Sequence, residues 1–111
     1  MEYSIQFYKT SNGKVPFKQW LKDLANMKAR VAIELRLDRL EMGNFGQIRS
    51  LGGGLYEMKI DIGPGYRIYF SKIGQLIVLL LCAGDKRSQH RDIIKAQEYL
   101  KDYKQWEQKN D

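Results

Sequence analysis

The chain has 111 residues, 43% of them hydrophobic and 29% charged, a composition that argues for one folded domain over residues 1–111 and against disorder. Its net charge of +6 favours polyanions such as nucleic acid, an anionic membrane surface or an acidic protein. Its single cysteine, Cys82, excludes an intrachain disulfide and a cysteine-based zinc site.

Tyr3, Ile5 and Phe7 alternate with Ser4, Gln6 and Tyr8, which predicts a strand with one buried face. Met1 to Ile5 holds no basic segment followed by an apolar one, so no secretion signal is expected, and the lone thiol fits a reducing cytoplasm. After the turn Ser11-Asn12-Gly13, Pro16 suits the first turn of a helix. Phe17, Trp20, Leu21 and Leu24 share one face of it. A second helix is expected from about Lys28 to Met42, with Ala29, Ala32, Ile33, Leu37 and Leu40 as its apolar stripe and Gly43-Asn44 as its stop.

Gly52-Gly53-Gly54 reads as a flexible connector, a hinge or a tight turn, not as a phosphate loop. Leu55 to Ile62 then alternates as a strand, with Leu55, Glu57, Lys59 and Asp61 on one side. Gly63-Pro64-Gly65 is hairpin-turn chemistry, and Tyr66 to Ser71 is the return strand. Gln75 to Ala83 is continuously apolar and reads as the central strand. The apolar run from Leu76 to Ala83 is far short of the ~20 residues that span a bilayer. Gly84 to Ser88 breaks the pattern, and a closing helix follows from about Gln89, with Ile93, Ala96, Leu100 and Tyr103 on one face and fraying expected over Glu107–Asp111. Helices grouped apart from consecutive strands define the α+β class.

Three clusters carry possible chemistry: Lys59, Tyr66-Arg67, and the run Lys86-Arg87-Ser88-Gln89-His90-Arg91. If Ile68 and Phe70 face the core, Arg67 and Tyr69 face outward, where they suit phosphate binding and base stacking; a solvated sheet face is the bland reading. Lys86 and Arg87 precede a helix, where backbone N–H groups attract anions, although basic loops there are usually only solvated. His90 is the one histidine, and a histidine exchanges protons near neutral pH. Scattered acids around one histidine give no metal-site spacing. Cys82, inside an apolar run, reads as core.

Leu55 to Asp61, then Gly65-Tyr66-Arg67-Ile68-Tyr69-Phe70, then Ala83 to Gln89 resemble the RelE/ParE toxin superfamily, in its addiction-module killer or HigB-like branch. Pro16-Phe17, Trp20-Leu21 and Asp92-Ile93 with Ala96 fit the same branch, so the similarity spans nearly the whole chain. The resemblance implies two N-terminal helices and a C-terminal helix packed on a twisted antiparallel sheet. It implies the toxin of a type II toxin–antitoxin pair, a cytoplasmic protein whose relatives cut messenger RNA in the ribosomal decoding site without a metal or other cofactor. Relatives of the ParE type instead inhibit DNA gyrase, and an inactive binding relative is a third reading. By the same resemblance Arg67 clamps the phosphate, Lys59 stabilises charge or assists the base, Lys86 or Arg87 holds the far side of the phosphate, and His90 is the acid or base candidate. Arg87, Tyr69 and Arg91 are the expected RNA contacts. The implied partners are a cognate antitoxin of helix-turn-helix type, together with the ribosome and messenger RNA. Some RNA-cutting relatives carry a second lysine two residues before Lys59; this chain has Glu57 there, which leaves the base unassigned.

Overall fold

The computed structural model describes residues 2–109. The chain runs β1 (Ser4–Phe7), α1 (Pro16–Asp23), α2 (Met27–Glu41), β2 (Ile48–Gly52), β3 (Leu55–Ile60), β4 (Tyr66–Ile73), β5 (Ile77–Asp85), a short 3-10 turn (Lys86–Ser88) and α3 (Gln89–Lys109). This is the expected α+β arrangement of helices and sheet.

Local chemistry sets the helix bounds. Pro16 opens α1, where its missing N–H costs no hydrogen bond. The Asn26 side chain caps α2 by accepting from the Ala29 N–H at 3.1 Å. At the other end Gly43 and Asn44 donate back to Leu40 and Arg39, which closes the helix where the sequence predicts. Helix α3 continues through Lys109 rather than fraying from Glu107; the last two residues of the expected frayed segment lie outside the described residues.

The sheet order is β1-β5-β4-β3-β2. It is mixed rather than antiparallel, because β1 pairs parallel with β5. Alternation in Tyr3–Phe7 reports which face is buried, not which strand lies alongside, so orientation is left to a pairing more than 70 residues apart. Strand β2 is an addition to the expected elements. It joins β3 through Gly53 and Gly54, both at positive φ (62° and 86°), so of the readings open to the glycine run the structure shows the tight turn, here of a hairpin.

The sheet is covered on both faces. Helices α1 and α2 bury Phe17, Ile33, Met58, Ile68, Phe70 and Leu80 on one side. Helix α3 buries Tyr8, Leu55, Tyr69, Leu79, Leu81 and Leu100 on the other. Strand β4 is the middle strand, and β4 and its neighbour β5 are buried nearly throughout. Tyr69 pairs with Cys82 while Phe70 pairs with Leu80, so β5 carries one extra residue there. That irregularity lets Leu79, Leu81 and Cys82 all join the α3 side.

Candidate functional site

The register resolves what parity leaves open. Lys59 lies directly opposite Arg67 on the neighbouring strand, and Arg67 lies opposite Gly84. Both cations stand beside the turn residue Gly65, which has φ +80°. A Cβ there would sit 3.7 Å from Arg67 Nη1 and 4.0 Å from Lys59 Cε. The positive φ selects glycine at this turn, while the two cations lie at ordinary van der Waals distance from that position.

The two members of the pair differ in exposure. The Lys59 side chain is 53% exposed and pairs with Asp61 at 3.2 Å. Arg67 is only 7% exposed, which corrects the expectation that it faces outward. The physical reason is α3, which lies across the face that parity assigns to solvent. Arg67 Nη1 donates to the Gly65 carbonyl at 3.2 Å, while its Nε lies 4.0 Å from Glu57 Oε2 and makes no hydrogen bond among the described residues.

Glu57 holds this corner together. It is buried, accepts from Gln89 Nε2 of α3 at 2.9 Å, and pairs with Arg49 of β2 at 3.2 Å. A buried carboxylate demands such partners, and here they come from three elements besides its own strand. Sequence reading registers Glu57 only as a missing lysine. Its burial on the same face as the half-exposed Lys59 is set by α3, which reaches the first position and not the second.

Tyr69 is fully buried, and its hydroxyl has no hydrogen-bond partner among the described residues. It offers no face to a nucleobase, so the expected stacking role is corrected to a core role. Burial, with Glu57 next in effect, pushes its ionisation well above the usual tyrosine range. Tyr66 is also core, edge-on to Trp20 with ring centres 5.8 Å apart. Burial pushes the Cys82 thiol up to about 12, in keeping with a core residue.

The basic loop has its own internal partner. Asp85 accepts from the backbone N–H groups of Arg87 at 2.9 Å and Ser88 at 3.3 Å, and from Arg87 Nη2 at 3.0 Å. The N–H groups expected to meet a phosphate are thus engaged by a carboxylate. The Arg87 hydrogen bond is the main reason that the Asp85 carboxyl lies below its usual range. Lys86, His90 and Arg91 are exposed at the same end of the molecule. His90 makes no hydrogen bond to Lys59 or Arg67. It is Gln89, one residue earlier, that α3 sends to the sheet.

Two residues to which the sequence assigns no role of their own, Gly84 and Asp92, fix the start of α3. Asp92 is buried and accepts a hydrogen bond from the Ser88 hydroxyl. A Cβ on Gly84 would fall 1.8 Å from Asp92 Oδ2, so only glycine lets the helix sit so close to β5. The available signal is a glycine at the end of an apolar strand, which marks close approach of another group.

Among the described residues no group of three or more His, Cys, Asp or Glu side chains is placed to hold a metal ion. No described helix is long and apolar enough to cross a membrane. No family model matches the chain. It is 45% identical over 80 residues to an uncharacterized protein of Haemophilus influenzae (strain ATCC 51907 / DSM 11121 / KW20 / Rd), an alignment covering 72% of this chain and 81% of that protein.

Proposed function

We propose that this chain, which belongs to one family with that uncharacterized Haemophilus influenzae protein, is a RelE-like toxin of a type II toxin–antitoxin pair that cuts ribosome-bound messenger RNA. The observation that carries the reading is the cross-strand pair Lys59–Arg67 beside Gly65. Its half-exposed lysine meets solvent, with a fixed guanidinium behind it. Cytoplasmic location, a helix-turn-helix antitoxin and the ribosome as partner belong to the same proposal.

Metal-independent cleavage requires the ribose 2′-oxygen to lose its proton and attack the adjacent phosphorus. The P–O5′ bond breaks, a proton goes to the leaving 5′-oxygen, and a 2′,3′-cyclic phosphate remains. Negative charge gathers on the non-bridging oxygens in the transition state, where fixed cations lower its energy most. Lys59 is the member placed to meet those oxygens, and Arg67 supports it from beneath. Glu57 holds Arg67 in place and also tempers its charge. His90 and Lys86, exposed at the same end, are the candidates for proton exchange and for gripping the far side of the phosphate. Arg87 and Arg91 are the candidate contacts to flanking RNA.

A gyrase-binding protein without chemistry is the second reading. It is favoured by one observation: Lys59, Arg67 and Arg87 each have a carboxylate neighbour that a phosphate would have to displace. Induced expression with transcript mapping separates the two. Codon-positioned cuts are expected, and Lys59→Ala should slow them by about tenfold to a hundredfold with unchanged thermal stability. Intact transcripts accompanied by gyrase-linked DNA breaks would sink the nuclease reading.

A further inference from the structure

Strand β1 is an edge strand, paired with β5 on one side only. The Ser4 N–H donates to the Leu76 carbonyl at 2.6 Å and the Tyr8 N–H to the Leu80 carbonyl at 2.9 Å, so these residues turn their amides toward β5. Successive residues of a strand direct their backbone groups to opposite edges. Ile5 and Phe7 therefore point N–H and C=O groups to the free side. Open edges are usually blunted by lysine, proline or a bulge, and Ser-Ile-Gln-Phe carries none of these.

Beside this edge runs an open groove lined by the apolar side chains of Ile5, Phe7 and Leu37 and by the carboxylates of Glu34, Asp38 and Glu41. The three acids recur at helical spacing on α2 and so stand in one row. Among the described residues none of them is in an ion pair or side-chain hydrogen bond. This is an unneutralised acidic row on a chain with net charge +6. The Tyr3 N–H donates to the Glu41 carbonyl at 2.7 Å and ties the end of α2 to the strand, which fixes the groove's width there.

We propose that β1 and α2 together dock an extended, basic segment of a protein partner, which adds to the sheet as a sixth strand. Its backbone bonds to Ile5 and Phe7, which supplies affinity. Its Lys or Arg side chains, at alternate positions on the α2 side, meet Glu34, Asp38 and Glu41, which supplies specificity. Nucleic acid does not suit the groove, since phosphates would meet carboxylates. The groove is separated from β3 and its Lys59 by β5 and β4, so the docking site stands apart from the proposed cleavage site.

The test titrates the labelled full chain with a short capped peptide alternating lysine and threonine, and with its glutamate–threonine counterpart, followed by amide NMR. The lysine peptide should shift the Ile5 and Phe7 amides and slow their hydrogen exchange. Glu34→Gln combined with Asp38→Asn, both at exposed positions, should weaken it about tenfold. Lys59→Ala should leave it unchanged. Equal shifts with the glutamate peptide, binding that leaves Ile5 and Phe7 unmoved, or no shift at about 1 mM peptide each overturn the proposal.

Discussion

Gly84 is the residue on which the seating of α3 depends. A methyl group there would meet Asp92 Oδ2 at 1.8 Å and Ser88 Oγ at 2.6 Å, and those two atoms are bonded to each other. Neither side chain has a free direction in which to retreat without losing that bond. Gly84→Ala should therefore cost about 1–3 kcal/mol, read as a lower urea midpoint with an unchanged slope. A variant as stable as the parent would show that α3 shifts freely on the sheet. Tyr69 makes the opposite case. Its buried hydroxyl has no partner among the described residues, so its desolvation is not offset by a hydrogen bond to them. Tyr69→Phe removes the polar atom and keeps the ring, and should hold or raise the melting temperature. A clear drop would mean that the hydroxyl is bonded in solution.

At the scale of elements, the helices and the strand faces are legible in the sequence, and the pairings are not. Pro16, Asn26 and Gly43 act through bonds within a few residues, so the bounds of α1 and α2 follow from local chemistry. Ile48 to Gly52 has no clean alternation and ends at three glycines, so β2 becomes a strand only by pairing with β3. Arg67 and Tyr69 show the same limit within the candidate site: parity places them on the second face, but only the path of α3 decides that this face is dry. The start of α3 also sets a pH response. Asp85 caps the 3-10 turn that leads into the helix, and its pKa is depressed chiefly by the Arg87 side-chain hydrogen bond. A depressed carboxylate stabilises the fold above its ordinary pKa of about 3.9 and loses that contribution as pH falls through the lower folded value. Hydrogen exchange at the Arg87 and Ser88 amides should thus quicken selectively below about pH 4. Asp85→Asn, which retains a capping oxygen but no charge, should flatten this acid response. An identical acid limb in both proteins would remove Asp85 as its source.

Across the whole molecule, two surface regions carry charge of opposite sign. Carboxylates in no ion pair among the described residues line the groove at the β1 edge, while exposed Lys59, Lys86, Arg87 and Arg91 gather where β3, β4 and β5 meet the start of α3. If that cationic end holds single-stranded RNA, each phosphate contact releases condensed counterions. The logarithm of the binding constant should then fall with the logarithm of salt concentration by about 0.7 per contact. Four contacts would give a slope of about −3, and fewer if Asp61 and Asp85 keep their lysine and arginine partly neutralised. Among the described residues Lys86 is in no ion pair, so Lys86→Ala should lower the slope by close to a full contact, about 0.7. Glu34→Gln changes net charge in the opposite sense, but it lies in the groove beside β1 and should leave the slope where it was. The comparison separates a local phosphate contact from a general effect of net charge, because long-range fields between exposed groups are screened within about 10 Å at 0.1 M salt. Anisotropy titrations of a short RNA across a salt series measure all three proteins. If both variants move the slope in proportion to their charge, the cationic end is not a site, and the molecule binds RNA only as a diffuse polycation.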